Sequence, residues 1–271
     1  MVITGRTRIY TILAHPSMHV TAPVIYNHIF TAMGLDMVYI SHDIAPGSVP
    51  EAVRSFSGWC NLGGFNVTVP HKEAVAALVN SLCEVSSRIG VVNTVVRNEA
   101  GQLSGYNTDG AGAVAALGKV QDATCLMIGA GGAARAIVDA LLHSGAKQVL
   151  IMNRSRDGAL RLCSLFAGCP VSIYEGEPLD LVGLVVQATP ISDQIPLGLD
   201  LSGFAQGTRI LETIVRPTVL SEAAVHHKFE FIGGHAMLYH QTSRNFELLT
   251  GMELPKRHLD DAFAAIGYSL P

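Results

Sequence analysis

The chain has 271 residues, enough for two modest domains or one large one. A hydrophobic share of 49% with 15% charged residues indicates a sizeable core and excludes an intrinsically disordered chain. The net charge of −4, with no run of Lys or Arg, excludes nucleic acid as an expected partner, and no apolar stretch reaches the length of a membrane span. The N-terminus lacks the apolar core of a signal peptide. Cys60, Cys83, Cys125, Cys163 and Cys169 form no CxxC pair and read as reduced, buried thiols, so a cytoplasmic location is expected.

Taken in chain order, Arg8-to-Leu13 reads as a strand, and Pro23 suits the first turn of a helix over Val24-to-Met33. A second strand is expected at Asp36-to-Ile40, a helix at Pro50-to-Ser57, and a third strand from Gly64 to Val69, closed by Pro70. Lys72-to-Leu82 reads as a helix, and Val91-to-Arg97 with Gln102-to-Tyr106 as a hairpin through Asn98-Glu99-Ala100-Gly101. Near Thr108 a second unit begins, with a helix over Gly110-to-Gly118 and a buried strand over Ala123-to-Ile128. Then come a helix through Leu142 stopped at Gly145, a strand at Gln148-to-Met152 and a helix at Asp157-to-Phe166. Further strands are expected at Gly183-to-Ala188 and Thr208-to-Ile214, before a largely helical tail beyond Gly234. This alternation predicts an α/β protein with a parallel, doubly wound sheet in its second half. The expected domains are residues 1–109, 110–234, and a helical segment 235–271 that returns to the first.

Two segments rich in turn formers carry the chemistry. Gly64-Phe65-Asn66-Val67-Thr68-Val69-Pro70-His71-Lys72 supplies a lysine, and Tyr106-Asn107-Thr108-Asp109-Gly110 an aspartate. A lysine beside a carboxylate in apolar surroundings can be tuned for proton transfer. Downstream, Gly129-Ala130-Gly131-Gly132-Ala133-Ala134 follows a strand and opens a helix, where glycines let the backbone approach a pyrophosphate. After the next strand, where a NAD site offers an acid to the ribose, the chain has Asn153-Arg154-Ser155-Arg156. Guanidinium groups pair with phosphate, so NADP is expected over NAD. The combination predicts an alcohol/ketone oxidoreductase with Lys72 as its acid/base. No metal is expected: the eleven histidines include no HExxH, and His226-His227 reads as a solvated helix face.

The chain resembles the shikimate dehydrogenase family nearly end to end. The resemblance rests on Asn66-Val67-Thr68-Val69-Pro70-His71-Lys72, Val92-Asn93-Thr94, Asn107-Thr108-Asp109-Gly110, Gly129-Ala130-Gly131-Gly132-Ala133, Asn153-Arg154-Ser155, Ala188-Thr189-Pro190, and Met237-Leu238-Tyr239-His240-Gln241 before Phe246-Glu247-Leu248. It implies an N-terminal α/β substrate domain, a Rossmann-type NADP domain and C-terminal helices packing back on the first. By it, Lys72 is the catalytic lysine and Asp109 its partner, in aromatic amino acid biosynthesis. Asn66, Thr68, Asn93 and Gln241 would bind the substrate, Asn93, Thr68 and Gln241 through ring hydroxyls and Asn66 from the same signature loop, and Thr189 would join the cofactor site. The partner is then a small ring alcohol, and the assembly a monomer or a homodimer.

Two departures concern the substrate. Pro23 and Asn27 anchor an alignment that puts His19 on the family's histidine, and Val20 and Ala22 where it carries two carboxylate-binding serines. Val215 stands where a tyrosine commonly helps. None of the three donates a side-chain hydrogen bond. Either shikimate is held by another carboxylate partner, or the chain is a quinate-type or other-substrate paralogue whose ring bears a different substituent. A non-catalytic metabolite or cofactor sensor is the rival of a different class, and retention of Lys72 and Asp109 argues against it.

Overall fold

The computed structural model describes residues 2–268. By its contacts the chain divides into two compact units: residues up to Thr108 together with those from Thr242 onward, and Asp109–Gln241. The first division falls between Thr108 and Asp109, and the second between Gln241 and Thr242, inside a long C-terminal helix.

The first unit contains β1 (Arg8–Ala14), α1 (Ala22–Ala32), β2 (Met37–Asp43), α2 (Val49–Gly58), β3 (Leu62–Val67), α3 (Lys72–Ala76), β4 (Ser81–Leu82), α4 (Glu84–Ile89), β5 (Thr94–Arg97) and β6 (Leu103–Tyr106). Its sheet runs β2-β1-β3-β5-β6-β4. β1 pairs in parallel with β2 and β3, while β5 runs antiparallel to β3 and β6 as the expected hairpin. Every residue of β3 is buried, because both faces of this central strand are covered. Leu13, Val53, Phe56, Phe65, Val75 and Val95 fill one apolar cluster. Elsewhere Tyr26 of α1 stacks on Tyr39 of β2, with ring centroids 4.4 Å apart.

The helix expected over Lys72-to-Leu82 ends at Ala76. Ser81 and Leu82 instead pair with Ser104 and Gly105, and Asn80 accepts the Leu103 N–H through its side chain. Pairing with a neighbouring strand overrides the local helical pattern.

The second unit contains α5 (Asp109–Leu117), β7 (Thr124–Ile128), α6 (Gly132–His143), β8 (Gln148–Met152), α7 (Arg156–Leu165), β9 (Val171–Ile173), β10 (Leu184–Gln187), β11 (Arg209–Glu212), α8 (Val219–His226) and β12 (Glu230–Ile232). Its sheet, β12-β11-β10-β7-β8-β9, is parallel throughout. This is the doubly wound dinucleotide-binding order, whose direction reverses between β7 and β10. The short edge strands β9 and β12 escaped the sequence reading, and of α8 it named only the His226-His227 face. A run of three residues carries little periodicity.

The chain closes with α9 (Gly234–Thr250) and α10 (Lys256–Ala264). From Thr242 on, these helices belong to the first unit: α10 packs on α1, and Phe246 meets Phe30 at a centroid distance of 6.3 Å. No described helix is long and apolar enough to cross a membrane. The five cysteines are free, but Cys125 alone among them is buried. Cys60 and Cys169 are exposed, because they fall in the turns after α2 and before β9.

Candidate active site

In the first unit, β3 delivers Asn66 and then turns through Thr68 to Pro70 into α3, which opens with Lys72. Backbone hydrogen bonds weld this turn to its neighbours. The Thr68 N–H donates to Leu13 O (2.9 Å), Val67 N–H to Asn93 O (2.8 Å), and Val92 N–H to Lys72 O (3.1 Å). Lys72, half-buried, is therefore held to the segment that carries Asn93. Its neighbour His71 is buried, with Nε2 unpaired, and burial pushes its pKa down. Burial thus favours the neutral imidazole beside the lysine.

Asn66 and Asn93 are both buried. Asn66 Oδ1 accepts from the Tyr39 hydroxyl (2.7 Å), while its Nδ2 donates to Thr94 Oγ1 (2.9 Å) and Asn93 O (3.2 Å). Both amide hydrogens of Asn66 are thus committed inside the protein. Asn93 Nδ2 donates to Thr108 Oγ1 (2.8 Å), and Asn93 Oδ1 accepts from Thr108 N–H (3.0 Å). Sequence reading passed over Tyr39 and Asn245. It quoted Thr94 and Thr108 within motifs but gave them no role.

In the second unit Asp109 opens α5 and is buried, and Gln241 of α9 donates to it through Nε2 (2.7 Å). Gly112, one turn along α5, makes this possible. A Cβ there would lie 2.6 Å from Gln241 Cγ and 2.9 Å from Met237 O, so a side chain would push α9 away.

The glycine loop of the same unit joins β7 to α6 at the point where the strand order reverses. The first helical hydrogen bond is from Arg135 N–H to Gly131 O (3.0 Å), so the preceding amides face out from the helix N-terminus. A Cβ on Gly131 would meet nothing within 4 Å, which leaves the space a pyrophosphate needs. Beside it, buried Gln187 clamps the Ala188-Thr189-Pro190 turn. Its Oε1 accepts from Thr189 N–H (2.8 Å) and its Nε2 donates to Ile191 O (3.1 Å). After β8, Ser155 caps α7 by accepting from Gly158 N–H (3.2 Å), and Asn153 Nδ2 donates to Ser155 O (2.8 Å). Arg156 pairs with Glu175 at 2.8 Å. Arg154 is exposed and has no partner among the described residues. The donor set fits a dinucleotide bearing a 2′-phosphate, with Arg154 the guanidinium available to it.

The loop before α1 differs in character. Asp43 at the end of β2 accepts from Ser17 N–H (2.9 Å) and lies 2.7 Å from His15 Nδ1, contacts that hold its carboxyl below the usual range. Val20 and Ala22 follow, both half-buried. Val215, also half-buried, lies after β11 in the other unit.

Residues 12–95 match the family model described as shikimate dehydrogenase substrate binding domain, and residues 112–187 that of shikimate / quinate 5-dehydrogenase. The shikimate dehydrogenase (NADP(+)) of Geobacter sp. (strain M21) is 34% identical, over 98% of this chain and 97% of that protein. The chain belongs to the shikimate dehydrogenase family. Among solved members, the enzyme from Aquifex aeolicus superposes with a TM-score of 0.89 at 29% identity, covering 96% of this chain and 99% of the other. The enzyme from Thermus thermophilus, solved in complex with NADP(H) and shikimate, gives 0.85 at 28% identity, covering 95% and 99%. The two-domain fold expected from the resemblance is that of the family, and these matches favour neither the paralogue nor the sensor reading.

One buried acid near the end of the second sheet stands outside the motifs. Glu212 closes β11, fully buried, with Oε2 accepting from Thr218 Oγ1 (2.6 Å) and Oε1 unpaired. Thr218 in turn caps α8, accepting from Ser221 N–H (3.0 Å). Burial pushes the Glu212 pKa up. A carboxyl with a raised folded-state pKa contributes most below its unfolded value of 4.5, and that contribution is lost as pH rises through the folded pKa. Glu212→Gln keeps an acceptor for Thr218 and does not ionise. The difference in Tm between variant and wild type should shift in the variant's favour as pH rises from acid to neutral. Parallel Tm–pH curves would show that Glu212 is not the titrating group.

Proposed function

We propose that the protein is an NADP-dependent dehydrogenase exchanging a hydride with a ring hydroxyl or ketone of shikimate or a close alicyclic relative, in aromatic amino acid biosynthesis. The observation that carries this reading is that a member of this family retains both Lys72 and Asp109 within intact motifs. The first unit binds the substrate and the second the cofactor. Bound at the glycine loop, NADP supplies the hydride acceptor or donor. The N–H groups around Gly129, Ala130, Gly131, Gly132 and Ala133 hold the pyrophosphate, Arg154 the 2′-phosphate with Asn153, Ser155 and Arg156 around it, and Thr189 lines the cofactor's edge. Lys72 Nζ takes the hydroxyl proton on oxidation and returns it on reduction, with Asp109 its partner. Thr68, Asn93 and Gln241 hydrogen-bond ring hydroxyls. Asn66, whose amide hydrogens are both engaged, acts by holding Asn93. A cytoplasmic protein, monomeric or homodimeric, is the setting this reading implies.

Three variants test the assignment. Lys72→Ala should lower kcat for shikimate oxidation by about 10²–10⁴-fold, the usual contribution of a general acid–base group, with the fold intact by circular dichroism. Full activity in that variant would remove Lys72 from the chemistry. Arg154→Gln should raise the KM for NADP by roughly tenfold to a hundredfold, as loss of a charged hydrogen bond implies, and leave the KM for NAD nearly unchanged. An equal effect on both cofactors would place Arg154 away from the 2′-phosphate. Val20→Ser combined with Ala22→Ser should lower the KM for shikimate by about tenfold or more with little change in kcat, because it restores binding shared by ground and transition states. An unchanged KM would mean that the carboxylate is held elsewhere.

A further inference from the structure

In the first unit, the amides of Asn66 and Asn93 are tied to a residue that no motif contains. Asn66 Nδ2 donates to Thr94 Oγ1, and Thr94 Oγ1 donates on to Asn245 Oδ1 at 2.7 Å. From the other side Asn93 Nδ2 donates to Thr108 Oγ1, and Thr108 Oγ1 donates to the same Asn245 Oδ1 at 2.8 Å. Two relays therefore end on one carbonyl oxygen, and every member is buried: Thr94 is 0% exposed, Thr108 4%, Asn93 5%, Asn66 6% and Asn245 7%.

Donor counting fixes the direction. A threonine hydroxyl has one proton to give. The Thr108 proton has Asn245 Oδ1 as its acceptor, and reversing the Asn245 amide would leave it with none. Close to Asn245 lies Tyr26, whose buried hydroxyl makes no hydrogen bond among the described residues. Tyr26 stacks on Tyr39, and Tyr39 closes the circuit through Asn66 Oδ1. Strands β2, β3, β5 and the end of β6 thus meet the C-terminal half of α9 in one polar cluster within an apolar core.

We propose that Asn245 is a positioning residue for the substrate site. Through Thr94 and Thr108 its carbonyl oxygen fixes which way the Asn66 and Asn93 amides point and holds the segment that leads into Asp109. Without that acceptor the Thr94 proton turns to Asn93 Oδ1 at 3.0 Å, and the Thr108 hydroxyl, left without its acceptor, no longer offers the Asn93 Nδ2 protons a fixed place. This inference rests on the assignment of Asn93 to substrate binding, so its test includes a readout that needs no substrate.

The experiment compares Asn245→Ala, Asn245→Asp and Thr108→Val with the wild-type chain. Asn245→Ala should raise the KM for shikimate about tenfold while the KM for NADP stays within about twofold. Asn245→Asp, which keeps an acceptor for both hydroxyls, should restore most of the loss. In the free protein, side-chain amide hydrogen exchange of Asn66 and Asn93, followed by NMR, should be slow in wild type and in Asn245→Asp and fast in Asn245→Ala. Thr108→Val cuts one relay only and should release Asn93 but not Asn66, which serves equally if Asn245→Ala does not fold. Unchanged amide exchange in Asn245→Ala and Thr108→Val overturns the proposal, as does a rise of both KM values together. Altered exchange in a protein whose wild type does not turn over shikimate leaves the positioning role standing and sinks the substrate assignment instead.

Discussion

A buried side-chain amide must have its hydrogen bonds made for it inside the protein, and this requirement organises the first unit. An unpaired buried polar group costs about 1–3 kcal/mol, a large fraction of a domain's net stability. Asn66 meets the requirement with partners from β2 and β5, and Asn93 with Thr108 at the end of β6. Asn245 then accepts from both threonines. Register in β3 and the seating of α9 are constrained together, since a slip of either would orphan several groups at once.

The second unit reaches its geometry by other means. Its sheet is parallel and apolar, and polar groups appear where strands end. There Gln187 spans a turn, Glu212 receives the cap of α8, and the glycine loop leaves its amides facing outward. Asp109 and Gln241 meet because Gly112 allows two helices to touch backbone against side-chain stem. The same lack of a Cβ leaves open space at Gly131 and permits a helix contact at Gly112.

The motif segments and the segment around the start of α1 differ in side-chain chemistry. Lys72, Asp109 and the glycine loop stand in intact motifs, whereas the loop before α1 presents Val20 and Ala22. That loop is nonetheless built with care: Asp43 engages Ser17 and His15 and fixes its path. Its valine and alanine side chains offer an anion only apolar surface.

The α/β class, the order of most elements, the glycine loop between a strand and a helix, and the motifs that carry Lys72 and Asp109 were all legible in the amino-acid sequence. Those features are written in local signals: strand and helix periodicity, glycines at a strand-to-helix turn, and short motifs whose members lie within a few positions. Packing settled what local signals could not: Asn66 turns inward, Arg156 is engaged by Glu175 while Arg154 is not, and the helix from Lys72 yields to β4. It alone revealed Asn245, which stands 151 positions from Thr94 and 137 from Thr108. Hydrogen bonds across such separations leave no periodic or motif signal, because they depend on where the whole chain brings its backbone, and that is fixed by packing.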